Sequence, residues 1–307
     1  MRVTFLGSDR WSVPSLEALA GSAHDLVLVV TRAPKPAGRG AKLTPTAVAE
    51  AARDLGSPLA EVETVRSGPG FEALQRSGPD VLVVVAYGEI LPPAVLELPT
   101  VAPVNLHFSL LPELRGAAPV QRSLLEGMTA TGLTTIRMDE GMDTGPILLR
   151  AEEAIDPEDD AGALGERLAA IGARLLLDTI DRLAGGALTE TPQDDAGASF
   201  APKLTAEDRW LAWTRPATEL GRRVRAMSPE PGASTRFRDD TVKIFRAATR
   251  DEAGEPGTVV ATGKEGFVIA AGEGSLAPLE VGPAGRKRMS AAEFVRGYRP
   301  EPGERFS

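Results

Sequence analysis

The chain has 307 residues, 42% of them hydrophobic and 25% charged, with a formal net charge of −9. That length allows two domains of ~100–200 residues each. The absence of cysteine excludes a disulfide framework, a thiolate nucleophile and a cysteine-based zinc site, and two histidines far apart in sequence argue against a His-ligated metal.

Charge is unevenly spread. Residues 204–307 hold 17 Lys+Arg against 15 Asp+Glu, whereas residues 1–203 hold 17 against 28. An acidic first part joined to a mildly basic second part leaves room for a phosphate-bearing partner, because local basic clusters decide such contacts. No apolar run approaches the ~18 residues of a membrane helix. MRVTFLGSDRW turns polar too soon for a signal peptide. The expectation is a cytoplasmic protein with no membrane partner.

In chain order, RVTFLG (2–7) predicts a strand covered on both faces. Val13, Leu16 and Leu19 recur at helical spacing, and DLVLVVT (25–31) predicts a second buried strand. A Pro/Gly/basic loop (33–45), a helix-like stretch (46–55) and a third apolar run, DVLVVVA (80–86), follow. Residues 101–108 and GLTTIRM (132–138) are further strand candidates. Leu164, Leu168, Ile171, Leu175 and Ile180 mark the apolar stripe of a helix over 161–184. This alternation predicts an α/β fold, a Rossmann-like, mostly parallel open sheet with helices on both faces. Ligands of such sheets bind at the carboxyl ends of strands. The loop after the first strand, GSDRWS, has no G-x-G-x-x-G, and no Walker A occurs, so nothing assigns NAD or ATP.

From 185 to 203, GGALTETPQDDAGASFAPK has the composition of a linker. Residues 204–226, carrying Trp210, Trp213, Leu220 and Val224, predict a helix. Beyond 232, TVKIFRA, GTVVAT, GFVIAA and APLEVG predict an all-β region, a small C-terminal barrel. The expected domains are therefore 1–203 and 204–307.

VNLHFSLLPELRGAAP (104–119) concentrates polar chemistry at a strand end. Side chains at i and i+2 of a strand share a face, so Asn105 and His107 project together while Leu106 and Phe108 turn the other way. An amide and an imidazole on one face suit a developing oxyanion, and the imidazole relays protons near neutral pH. In the following loop Ser109, Arg115 and Gly116 offer donors or close backbone approach. MDEGMDTGP (138–146) places Asp143 between Gly141 and Gly145, and a carboxylate near His107 would orient the ring and favour imidazolium. Taken alone, these residues fit either an acyl-transfer site on converging strand ends or a structural strand end beside a turn.

NLHFSLLPELRGAAPVQ followed by MDEGMDTGPIL closely resembles the signature of the 10-formyltetrahydrofolate-dependent formyltransferases. The similarity runs from VTFLGS through VVVAYGEILP (83–92) to PAGRKRMSAAEFVRG (283–297). It implies that Asn105, His107 and Asp143 are catalytic, and that 10-formyltetrahydrofolate is the formyl donor, with no metal and no NAD. It further implies that Ser109, Leu110, Leu111 and Pro112 lie against the folate. Tyr87, Gly88, Ile90 and Leu91 would line the pterin pocket with their backbone.

The trio is shared by family members with different acceptors, including amino sugars on nucleotides and glycinamide ribonucleotide. APKPAGRGAKLTP (33–45) is similar to the basic insertion of the members that act on initiator methionyl-tRNA, which implies tRNA contacts for Lys35, Arg39 and Lys42. The same resemblance makes 204–307 an OB-like tRNA-binding domain whose Arg286, Lys287 and Arg288 are the densest basic run. A monomer is expected. Three departures stand out: Gly7-Ser8-Asp9-Arg10-Trp11 for Gly-Thr-Pro-Glu/Asp-Phe, Arg32-Ala33-Pro34 for Gln-Pro-Asp, and Pro146 where Asp is common.

Overall fold

In the computed structural model, which describes residues 1–37 and 42–307, the first half is built around one seven-stranded sheet. Strand β1 (Arg2–Gly7) leads through helix α1 (Val13–Ala20) to β2 (Asp25–Arg32). Two short strands, β3 (Lys35–Ala37) and β4 (Lys42–Thr44), pair with each other. Helix α2 (Ala47–Asp54), β5 (Leu59–Val62), α3 (Gly68–Ser77), β6 (Val81–Val85), α4 (Pro93–Leu96) and β7 (Ala102–His107) follow. After α5 (Pro119–Glu126) come β8 (Ala130–Arg137), β9 (Ile147–Ala154) and the long helix α6 (Ala161–Ala184).

The sheet order is β5-β2-β1-β6-β7-β8-β9. Its first five strands are mutually parallel, and β8 and β9 extend it antiparallel. The two sides explain themselves in sequence. Strand β6, VLVVV, is buried at every position, as a strand covered on both faces must be. Strand β9 alternates half-buried and exposed residues along its outer half, as an edge strand does. Leu6, Val30, Leu74, Leu82, Val84, Tyr87, Leu91 and Val95 form a core on one face. Gly172 of α6 lets the helix close on the sheet, since a Cβ there would lie 2.8 Å from Leu106 and 3.2 Å from Leu133.

The chain divides into two compact units, Met1–Pro119 with Ala130–Ala154 and Gly165–Pro202, and Val120–Thr129 with Ile155–Leu164 and Lys203–Ser307. In the second unit, helix α7 (Ala217–Ala226) precedes β10 (Ala233–Phe237), β11 (Asp240–Arg250), β12 (Val259–Gly263), β13 (Gly266–Ala270) and β14 (Ser275–Pro283). Strand β15 (Met289–Ser290) and helix α8 (Ala291–Tyr298) follow. The antiparallel order is β10-β11-β14-β13-β12. Residues 304–307 close the gap between its edges. Val259 N donates to Glu304 O at 2.8 Å, while Arg236 and Ser307 exchange both main-chain bonds at 2.6 and 2.9 Å. Closure removes both sheet edges, which is the barrel solution. Its interior stacks Phe237, Phe267, Phe294 and Phe306, with Phe237 and Phe306 centroids 4.4 Å apart.

Two predicted elements differ. The helix predicted over 204–226 forms only from Ala217, after Pro216, which lacks an N–H and starts the helix at that point. Before it, the chain is a 3-10 turn (Glu207–Arg209) and an extended piece. There Leu211 N donates to Ser234 O at 2.9 Å, and Trp213 Nε1 donates to Thr235 Oγ1 at 2.9 Å. The tryptophans serve the barrel rather than a helix stripe. The all-β region also contains α8, opened by a capping box in which Ser290 and Glu293 satisfy each other's main-chain N–H.

Candidate active site

His107 is the last residue of β7, and Asn105 stands two positions before it. Their main chain is fixed by β6 on one side and β8 on the other, with Val84 opposite Asn105 and Thr134 opposite His107. On the far face Leu106 packs at α6, and Phe108 stacks on Trp11 at 6.0 Å between centroids. Trp11, in the departure from the family pattern after β1, thereby braces the back of the strand that carries the pair. Gly165 of α6 makes room for that indole.

Asp143 reaches the pair from elsewhere. Because β8 runs antiparallel to β7, its end at Arg137 lies level with Val104, not with His107. The 138–146 loop therefore folds back along the strand, and the site is not the set of converging strand ends that the sequence suggested. Three groups meet the Asp143 carboxylate. Asn105 Nδ2 donates to Oδ1 at 3.3 Å, Gly116 N donates to Oδ2 at 2.8 Å, and His107 Nδ1 lies 3.6 Å from Oδ2. On the other side of the ring, Nε2 meets Leu114 O at 3.0 Å. A carbonyl only accepts, so Nε2 donates, and both ring nitrogens face acceptors. The ring is 6% exposed.

The loops are strained where they touch this carboxylate. Asp143 has φ 57° and Leu114 has φ 57°, both in the left-handed region. Gly116 has φ 126°, and a Cβ there would lie 2.7 Å from Ala201 O. Gly145 is required by space alone, since a Cβ would stand 1.8 Å from Arg137 O.

The first 180 residues match the Formyl transferase family, and residues 203–299 match its C-terminal domain. The chain is 43% identical over its whole length to a methionyl-tRNA formyltransferase of Methylobacterium sp., covering 99% of that protein. It is 39% identical, again over its whole length, to one of Geobacter sulfurreducens, covering 96% of it. The chain belongs to the formyltransferase family. Among solved structures, a HypX variant from Aquifex aeolicus superposes with a TM-score of 0.68 at 19% identity. That likeness of fold spans 99% of this chain but 48% of HypX.

The remaining sequence-derived residues of this formyltransferase fall into distinct settings. Leu111 is fully committed: its side chain is buried with Ile136 and Ile147, its N–H donates to Thr134 Oγ1 at 3.0 Å, and its carbonyl accepts from Arg150. Ser109 is buried and donates to Glu113 O at 2.6 Å, while Leu110 and Pro112 are half-buried. Tyr87 and Leu91 are core residues, whereas Gly88 is exposed and Ile90 is 70% exposed. Burial pushes the Tyr87 phenol up to about 12, helped by Glu89 and opposed by Arg32. Arg32, at the second departure, pairs with Glu89 at 2.8 Å.

Lys35 is exposed on β3; Arg39 lies outside the described residues, and of Lys42 only the backbone, in β4, is described. Arg286 and Lys287 are exposed in the turn after β14. Arg288 differs, its guanidinium 3.7 Å over the Phe245 ring and bonded to Pro229 O. Lys243, Phe245, Arg286 and Arg288 line a cleft of about 260 Å³ in the barrel unit. A larger one, about 710 Å³, lies between the β12–β13 turn and α8 and contains none of the trio.

Sequence reasoning missed one part of the site altogether. The 185–203 segment, read as a linker, is tied across it: Thr191 pairs with Ile147, and Ala201 with Arg115. Only the Gly/Pro/Asp composition is visible in the sequence, and nothing local in it reports partners 44 and 86 residues away.

Proposed function

We propose that this protein transfers the formyl group of 10-formyltetrahydrofolate to the free amino group of initiator methionyl-tRNA. The observation that carries the chemistry is the meeting of Asn105, His107 and the Gly116 N–H on the one carboxylate of Asp143. Full-length relatives named methionyl-tRNA formyltransferase support the acceptor.

The residues present suit a folate. Among the described residues the main-chain N–H groups of Gly88 and Ile90 meet no acceptor, and the exposed Ile90 side chain gives an apolar surface beside them. Flat, polar-edged rings need that mixture of main-chain donors and apolar wall. Gly88, Ile90, Ser109, Leu110 and Pro112 would hold it, with Tyr87, Leu91 and Leu111 as the packed support behind. When bound, 10-formyltetrahydrofolate supplies an activated one-carbon acyl group. His107 Nε2 is spent on the Leu114 carbonyl. Its Nδ1, which stands 3.6 Å from the Asp143 carboxylate, and the second amide hydrogen of Asn105 are the donors for the oxygen on which negative charge builds. Preorganised donors of this kind are worth ~10²–10³-fold each. Asp143 holds the ring and takes up the proton released by the attacking amine, and that proton would return to the tetrahydrofolate nitrogen as its bond to the formyl carbon breaks.

For the acceptor, Lys35, Arg39, Lys42, Arg286 and Lys287 meet phosphates, while Arg288 shapes the barrel cleft that Arg286 also lines. Residues 1–203 carry the chemistry and 204–307 add tRNA affinity, in a cytoplasmic monomer. The deciding assay offers purified protein 10-formyltetrahydrofolate with charged initiator or elongator methionyl-tRNA. Formylation of the initiator species alone is expected. Turnover of an amino-sugar nucleotide instead, or tRNA binding without formyl transfer, overturns the reading.

A further inference from the structure

Thr191 and Ile147 exchange main-chain bonds at 2.8 and 2.9 Å, and Ala201 N donates to Arg115 O at 2.7 Å. Between these anchors Gln193 turns its side chain toward the 138–146 loop. Its Nε2 donates to Asp143 O at 2.7 Å and to Gly145 O at 2.8 Å. Its Oε1 accepts from Arg115 Nε at 3.1 Å and from Nη2 at 2.8 Å. A guanidinium has donors only, so Arg115 settles which end of the amide faces the loop. Arg115 is 4% exposed and is itself held by Asp195 at 2.8 Å.

Asp143 has a left-handed backbone, a conformation that persists in a residue with a side chain only when its surroundings impose it. Gln193 takes the carbonyl end of Asp143, while Gly116, Asn105 and His107 take the carboxylate end. With the carbonyl released, φ and ψ of Asp143 are free to relax, and the carboxylate swings away from the imidazole.

We infer that Gln193, oriented by Arg115, is the positioning residue that keeps the Asp143 carboxylate on His107 and Asn105. The inference rests on the formyl-transfer reading of the trio, and it adds a residue that acts through Asp143 without touching the reacting groups.

Gln193→Leu is branched and one atom shorter, and it removes both N–H donors together with the acceptor of Arg115. In the full-length protein its kcat should fall about 10²-fold, as expected of a misplacement near 1 Å. KM for either substrate should stay within about threefold, since binding contacts are untouched. Gln193→Glu keeps the Arg115 bonds but has no N–H to give when ionised, and should be as slow.

A second measurement needs no turnover. The chain has two histidines, so labelled-histidine spectra contain two sets of ring signals, which His107→Ala assigns. Asp143 faces one nitrogen of His107 and the Leu114 carbonyl the other, whereas His24 pairs with Asp181 at 3.0 Å. Gln193→Leu should shift the ring signals of His107 and leave those of His24 in place. Asp181→Asn should do the reverse. A kcat within twofold of wild type in either Gln193 variant overturns the inference. So does a slow variant whose His107 ring signals have not moved, or failure of both variants to fold, which would make Gln193 structural. Should the wild type transfer no formyl group, the functional reading fails alone, and the His107 ring signals still decide the positioning role.

Discussion

Asn105 and His107 ride on β7, where neighbouring strands fix the backbone, whereas Asp143 stands at φ 57° in a loop held by residues far along the chain. The difference sets how each fails. On the strand, the relation between amide and imidazole follows from i, i+2 alternation, so a substitution removes a functional group and leaves the frame standing. In the loop the carboxylate is placed by contacts that span 27 to 50 residues, from Gly116 and Gln193. Substitutions that never touch substrate should therefore misplace it.

The largest effects come from removing the groups themselves. Asp143→Asn keeps an acceptor for Gly116 N but no charge for His107, and His107→Ala removes the ring. Each should lower kcat ~10²–10⁴-fold in a formylation assay while leaving tRNA affinity within about threefold. A rate near wild type in either breaks the comparison, because the two supports would then be holding groups that do no chemistry.

Next comes the loop frame. In Gly145→Ala a Cβ would be driven to 1.8 Å from Arg137 O, so the loop must shift. A shift near 1 Å at a site costs about 10²-fold in rate, with Asp143 still present. Thermal unfolding should change far less, since the loop contributes little to the core. If Gly145→Ala loses stability and not rate, the loop is a structural element and the carboxylate is placed by something else.

The acceptor side of His107 gives a smaller test. Ser199 Oγ accepts from Leu114 N at 2.9 Å, and Leu114 O is the partner of His107 Nε2. Ser199→Ala leaves one half-buried N–H without that bond, worth about 1 kcal/mol. Denaturant unfolding should show that loss, with a kcat reduced a few-fold as the ring loses its stop.

These contrasts also say what was legible in the chain. Strands β1, β2 and β6 announce themselves as continuous aliphatic runs, β8 by its β-branched residues, and α6 spans the Ala161–Ala184 range that its apolar stripe predicted. Strand β5, with LAEV, and the alternating outer half of β9 lack such runs, and α3 begins with Gly-Pro-Gly, so none was predicted. At the site, alternation put Asn105 and His107 on one face. It did not give the reversal of β8 that sends the Asp143 loop back along β7, because strand direction is decided by tertiary pairing. Gln193 was hidden for the same reason. Its partners are main-chain carbonyls, which carry no residue identity to read.

The smallest expected effect concerns a third support, the loop after β6, which Glu89 ties to Arg32, Thr64 and the Val65 N–H. The Tyr87 hydroxyl is buried near Arg32 and Glu89 without a well-aligned hydrogen bond, and burial pushes its phenol up to about 12. The sign follows from which state ionises first. Above the ordinary value of 10.0 the unfolded chain gives up this proton and the folded chain keeps it. Folding stability therefore falls as pH rises from about 10 to about 12 and is fully present below that window. Tyr87→Phe removes the ionisable group and an unsatisfied hydroxyl together, so at about pH 8 it should be neutral or slightly stabilising. Its unfolding free energy should also decline less than that of wild type between about pH 8 and about pH 11. If the hydroxyl instead bonds a folate at this strand end, Tyr87→Phe will raise KM for the folate with kcat unchanged. The loop would then be a binding element in its own right, and not simply the packed wall behind Gly88 and Ile90.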